Sequence, residues 1–223
     1  MNNMLDDRLQ TIYDLVDKKY VVDVGTDHGK LAIQLLRDNK INQATLTDIS
    51  KFSLSKAENL AKLNKITNCE FLVGDGLTVL KGDYKDYICV IAGMGGGQII
   101  KILSSPLRQD SISDFILQPQ KNTIQLREWL VNNNYKIVVD KMTKQDKIYY
   151  NVLRVCKGSD KLTQQELLFG RTNLTNPTDI FVEYLNVEKQ KFELIVNNPQ
   201  CKDLKAKEYY EQVCEVIKNL ERR

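Results

Sequence analysis

The sequence predicts an α/β protein: a mostly parallel sheet, closed at one edge by an antiparallel hairpin and followed by a two-helix extension. Three observations predict it. Short apolar runs alternate with amphipathic stretches over residues 20–130. Two further strand-like runs have only a short polar link between them. After residue 158 the β pattern stops, and two runs repeat apolar residues in a four-three spacing. Strands alternating with helical patterns form parallel βαβ units with right-handed crossovers. A link too short for a crossover forces an antiparallel pair.

Taken in order, Tyr20–Val24 reads as a buried strand ending at Gly25, and Leu31, Ala32, Leu35 and Leu36 mark one face of a following helix. Residues 44–48 form the second strand. Behind Ser50, the residues Leu54, Ala57, Ala61 and Ile66 mark the next helix. The runs 70–73, 87–92 and 115–117 are the third to fifth strands, each expected to be followed by a further helix. In the last of these, Ile124, Leu126, Trp129 and Leu130 set the apolar face, and Trp129 is read as core. Runs 135–139 and 148–155, linked by 141–147, make the terminal hairpin, on which Tyr149 and Tyr150 alternate so that one faces outward.

In the tail, Phe181, Leu185, Phe192 and Ile195 follow a four-three repeat that Glu188 interrupts. Ala206, Tyr210, Val213, Ile217 and Leu220 repeat it without interruption, and Asn197-Asn198-Pro199 breaks the helix between them. The pattern predicts an antiparallel, coiled-coil-like helical hairpin. Two helices lying flat on the main domain are the alternative. The expected division is residues 1–158 for the sheet domain and 159–223 for the helical extension.

Length and composition allow one core with an appendage: 223 residues, 42% hydrophobic and 27% charged. No apolar run approaches the ~20 residues that span a bilayer. The first eight residues include Asp6, Asp7 and Arg8 and no apolar stretch, so no secretory signal is expected. Cys69, Cys89, Cys156, Cys201 and Cys214 are odd in number and scattered, which favours a reducing cytoplasm over a disulfide framework or a zinc site. Lys and Arg outnumber Asp and Glu by 21 to 18 up to Cys156 and balance at 11 to 11 beyond it. That mild excess neither demands nor excludes a nucleic-acid partner.

The chemistry is concentrated at the strand ends. Asp23-Val24-Gly25-Thr26-Asp27-His28-Gly29 leaves the first strand and opens a helix, so the Gly25 backbone can approach a ligand closely. The segment lacks GxGxxG, which disfavours a nicotinamide dinucleotide, and its two extra carboxylates would repel a phosphate. A ligand with a positive centre and no phosphate, such as S-adenosylmethionine, suits it better. Asp48 ends the second strand, where an acidic side chain takes the ribose hydroxyls of an adenosine cofactor. Gly74-Asp75-Gly76 follows the third strand and meets the same crevice. The fourth strand runs into Gly93-Met94-Gly95-Gly96-Gly97, and without GxxxxGK[ST] this loop is no triphosphate cradle. The fifth ends in Gln118-Pro119, where Gln118 can bond to a base edge. His28, the single histidine, cannot complete a histidine metal site, and no metal is expected.

In this order, VDVGTDHGKLAI, LTDIS, VGDGL, IAGMGG and LQPQ resemble the bacterial tRNA adenine-N1 methyltransferases that act on adenine 22, the TrmK-type family. The resemblance spans roughly residues 4–155 and extends into the tail. It implies a Rossmann-like class I methyltransferase sheet with a helical C-terminal extension. It also implies transfer of a methyl group from S-adenosylmethionine to adenine N1 in tRNA; a cytoplasmic enzyme is expected, with the oligomeric state left open by the sequence and a monomer favoured. By position, it assigns the cofactor to Asp23, Gly25, Thr26, Asp27, His28, Gly29, Asp48, Ile49, Asp75, Gly76 and Gly93. Asp27, Gly93, Met94, Gly95, Gly96, Gln118 and Pro119 then face the reacting adenine, with Asp27 following the moving positive charge. Lys30, Lys51, Arg127 and Lys144 are candidates for phosphate contacts. Other methyl acceptors on the same fold (another RNA site or a small molecule) and a non-catalytic RNA-binding protein are the alternatives. Where the family often has a small residue and an aromatic after the TDH triplet, this chain has Gly29-Lys30; the family's Gly-Pro in the tail is Gly170-Arg171 here.

Overall fold

The structure, a computed structural model, describes residues 5–105, 112–198, 200 and 202–222. Strands β1 (Tyr20–Val24), β2 (Gln43–Asp48), β3 (Cys69–Val73), β4 (Tyr87–Met94), β5 (Asp114–Pro119), β6 (Tyr135–Gln145) and β7 (Ile148–Lys157) form one sheet in the order β3-β2-β1-β4-β5-β7-β6. The first five are parallel, and β7 runs antiparallel to both β5 and β6. The order reverses between β1 and β4, the point where open α/β sheets bind ligands at the carboxyl ends of their strands. The predicted sheet and terminal hairpin are therefore present. The link is shorter than the sequence suggested: 141–145 continue β6, and the turn is Asp146-Lys147, with Asp146 in the left-handed region at φ +56°.

Helices α1 (Asp7–Leu15), α2 (Lys30–Arg37), α3 (Lys51–Leu63), α4 (Gly96–Leu103) and α5 (Thr123–Asn132) cover the sheet. β1 is buried almost throughout, which its Val-rich sequence permits, and Val21 and Val22 feed separate core clusters on opposite faces. α2 buries the four predicted residues, and Ser50 caps α3 by accepting the Ser53 N–H. Ile66 lies beyond the end of α3, half-buried against the same cluster. No helix follows β3: residues 74–86 form a glycine-containing loop whose Leu77, Leu80 and Tyr84 plug the core in its place. Trp129 packs half-buried on Tyr135, ring centroids 5.8 Å apart.

The tail contains α6 (Gln164–Phe169) and α7 (Arg171–Thr175), too short to show a period, and then α8 (Asp179–Val196) and α9 (Leu204–Glu221). The last two pair as the predicted hairpin; Pro199 and Cys201, like residues 1–4, lie outside the described residues. Glu188, the break in the apolar repeat, accepts the Tyr209 hydroxyl at 3.0 Å, and that hydroxyl also meets Tyr184 Oη at 3.1 Å. On α9 it is Ala206, Val213 and Val216 that are buried, with Ile217 and Tyr210 at the margin. Phe181 and Leu185 root the hairpin in a third cluster with Met142 and Phe169, while Leu194 near its far end is 80% exposed. The hairpin thus docks by its root and does not lie flat.

Candidate active site

Glycines open the crevice between the β1 and β4 ends. At Gly25, φ +70°, the Met94 methyl fills the space that a Cβ would occupy. Gly93, φ +76°, sits at a bulge where the β4–β5 pairing slips between Ala92 and Met94. Two cavities meet along Gly25, Ala92 and Gly93. The larger, about 380 Å³, is lined by Asp23, Thr26, Asp27, His28 and Lys30 on one side and by Asp6, Arg8 and Gln120 on the other. The smaller, about 240 Å³, is lined by Asp48, Ile49, Asp75, Gly76, Met94 and Gln98.

The carboxylates are held in different ways. Asp48 accepts the Ser50 N–H at 2.7 Å and the Asp27 N–H at 3.2 Å, one on each oxygen, which fixes its orientation and leaves acceptor capacity on both. Asp23 is buried and accepts the Thr26 hydroxyl at 2.6 Å. Burial pushes its carboxyl up to about 6; the Thr26 hydrogen bond pulls back and the neighbouring Asp48 charge adds to the rise. Asp27 is exposed at the mouth, with φ +48°. His28 Nε2 lies 3.0 Å from Lys56 Nζ; an ammonium can only donate, so this nitrogen is the acceptor.

The structure therefore gathers Asp23, Gly25, Thr26, Asp27, His28, Asp48, Ile49, Asp75, Gly76, Gly93 and Met94 around one crevice. Gly29, Gly95, Gly96, Gln118 and Pro119 lie behind its walls. A Cβ on Gly29 would stand 2.8 Å from Ala57 Cβ, so that glycine permits α2–α3 packing. A Cβ on Gly96 would meet the Asn122 carbonyl at 2.6 Å, and Gly95 abuts Lys121. Gln118, expected to reach a base edge, is fully buried, because β5 continues through Pro119 and α1 covers it. Gln120, one residue past the strand, lines the cavity instead.

Among the phosphate candidates, Lys30 and Lys51 are exposed, and Lys30 lines the larger cavity. Arg127 is corrected: it is 1% exposed and spends its donors on Asp140 (2.6 and 2.9 Å), Asn151 and the Leu167 and Leu168 carbonyls, tying α5 to β6 and α6. Lys144 pairs with Glu183 of α8 at 2.6 Å and so braces the hairpin root. Asp6, Arg8 and Leu9 were not foreseen. The spacing of Leu9, Ile12, Tyr13 and Val16 signals α1, but no local pattern reveals that it reaches the crevice.

A seven-stranded sheet in this order, with an acidic, glycine-walled crevice at its switch point, defines a Rossmann-like class I methyltransferase. The family profile of the TrmK tRNA (adenine(22)-N(1))-methyltransferases matches residues 21–222, and the chain belongs to that family. It is 34% identical over 202 residues to a Mycoplasma pneumoniae protein provisionally named a tRNA methyltransferase, covering 86% of this chain and 92% of that one. It is 31% identical over 167 residues to the Bacillus subtilis tRNA (adenine(22)-N(1))-methyltransferase, covering 72% and 68%. The solved structure of M. capricolum TrmK with the cofactor product S-adenosyl-homocysteine superposes with a TM-score of 0.82 at 26% identity, covering 98% of each chain.

Proposed function

We propose that the chain uses S-adenosylmethionine to methylate adenine N1 in tRNA, at the position 22 for which its family is named. The observation that carries this reading is the crevice: carboxylates at three strand ends and glycine-opened walls, where the sheet order reverses. The M. capricolum relative, which holds the demethylated cofactor, supports the choice of donor.

The residues fit an adenosine that bears a positive centre and no phosphate. Asp48 would take the ribose hydroxyls, Ile49, Asp75 and Gly76 would border the adenine, and Asp23, Gly25 and Thr26 would hold the amino-acid end. S-adenosylmethionine supplies there an electrophilic methyl group on a cationic sulfur. No residue needs to act as a base, since adenine N1 has a free lone pair and no proton. The chain's task is alignment, from which several of the ~7–11 kcal/mol available to ideal orientation can come. Asp27, at the mouth, follows the positive charge as it passes to the purine. The base must leave its stack, which costs a few kcal/mol; Lys30, which lines the larger cavity, and Lys51, exposed at the start of α3, would take phosphates as it does. Among the described residues no helix is long and apolar enough to cross a membrane; it is the tRNA substrate that argues for a cytoplasmic enzyme.

The test is to incubate the protein with labelled S-adenosylmethionine and unmodified tRNA, then digest to nucleosides. Label is expected as 1-methyladenosine, and is expected to vanish when adenine 22 is replaced by guanine. Label in another nucleoside, or none despite measured donor binding, would reject this acceptor.

A further inference from the structure

The N-terminal helix, whose Arg8 and Leu9 line the larger cavity, also reaches the Gly93 peptide through one buried side chain. Gln118 is 0% exposed, and its Oε1 accepts two hydrogen bonds: from Gly93 N–H at 3.1 Å and from Arg8 Nη1 at 2.8 Å. Its Nε2 donates to the Pro119 carbonyl at 3.0 Å. Swapping oxygen for nitrogen would set donor against donor, so the amide has one workable orientation. At the far end of this relay, Gly93 borders both cavities, and nothing lies within 4 Å of where its Cβ would be. With Gly25 and Ala92 it forms the boundary that the two spaces share. At the near end, Arg8 is held by α1, which Arg154 anchors through the Leu15 carbonyl at 3.2 Å.

We propose that Arg8 is a positioning residue for methyl transfer: it locks the Gln118 amide and thereby the Gly93 peptide where donor and acceptor meet. The proposal rests on the methyl-transfer reading above. A charge-assisted bond is about twice as strong as a neutral one, which suits an arginine to holding an amide against rotation. Without Arg8, the Gln118 oxygen keeps one donor, and the Gly93 peptide loses its fixed stop.

The test uses full-length Arg8→Met, Arg8→Lys, Gln118→Leu and the double variant Arg8→Met/Gln118→Leu. Arg8→Met is expected to lower kcat about tenfold while the Kd for S-adenosylhomocysteine and the KM for tRNA stay within about twofold. Arg8→Lys should restore most of the rate. The double variant should be no slower than Gln118→Leu alone, as expected for groups acting in one chain of contacts. If Gln118→Leu fails to fold, the Gly93 amide signal, followed by NMR in glycine-labelled protein, carries the test: in Arg8→Met it should shift and exchange faster. That signal needs no turnover, so it remains informative even if the wild type leaves tRNA unmethylated, which would sink the functional reading instead. Weaker S-adenosylhomocysteine binding at unchanged kcat would overturn the proposal and make Arg8 a direct ligand. Unchanged kcat with an undisturbed Gly93 amide would leave Arg8 a purely structural residue.

Discussion

Asp23 carries a carboxylate into the sheet, where little of it meets water, with its carboxyl raised to about 6. A raised pKa means that the folded state holds its proton more tightly than the unfolded chain. This contribution to stability is full below the unfolded value near 4 and is lost as pH rises through about 6. Asp23→Asn is therefore expected to stabilise the protein at pH 7 by on the order of 1–3 kcal/mol, and to change little at pH 4. Denaturant melts at the two values check this, and equal gains at both would refute it. At this scale the sequence was partly readable. Asp23, Asp48 and Asp75 declared themselves because each stands at a strand end. Gln118 also stands at a strand end but was assigned to a base edge, because its partner Arg8 lies 110 residues away and only the tertiary fold buries it.

Among the elements, periodicity located α2, α3, α8 and α9 because each has a face long enough to repeat. A helix was expected after β3 because strand and helix alternate before it, whereas residues 74–86 form a loop with no helix. The hairpin shows where such a pattern holds energy. Phe181 is fully buried beside Phe169, their ring centroids 6.5 Å apart, whereas Leu194 stands in solvent. Phe181→Ala is expected to cost about 3–5 kcal/mol, roughly 10 °C in Tm for a chain of this size. Leu194→Ala should stay within about 0.5 kcal/mol. Thermal melts of the two variants measure the contrast, and similar losses would mean that the tip is packed as the root is.

For the molecule as a whole, a formal charge of +3 gave little guide to an RNA partner, and the structure leaves fewer free cations by the crevice than the sequence offered. With Arg127 interred and Lys144 paired to Glu183, the expected phosphate contacts fall to Lys30 and Lys51. Lys30→Ala and Lys51→Ala should each weaken tRNA binding and lower the slope of log affinity against log salt by about one. Filter binding across a salt series decides it; an unchanged slope would remove that lysine from the interface. The four candidate cations could not be sorted in advance, because burial and ion pairing are set by elements distant in sequence.

The attachment of α1 also bears on the order in which the protein can be made. The Leu15 carbonyl takes its hydrogen bond from Arg154, and the Asp7 carbonyl takes one from Thr143, across separations of 139 and 136 residues. At about 5–20 residues per second of synthesis, the first helix leaves the ribosome roughly 7–30 s before the strands that receive it. Until then its apolar face, with Leu9, Ile12 and Val16, has only the earlier members of its cluster, such as Val21, Leu31 and Leu35, to pack against. The wall of the larger cavity that Arg8 supplies is thus among the last parts of the site to close, and a nascent chain stalled before β6 would carry the glycine turn and all three crevice carboxylates without being a finished catalyst.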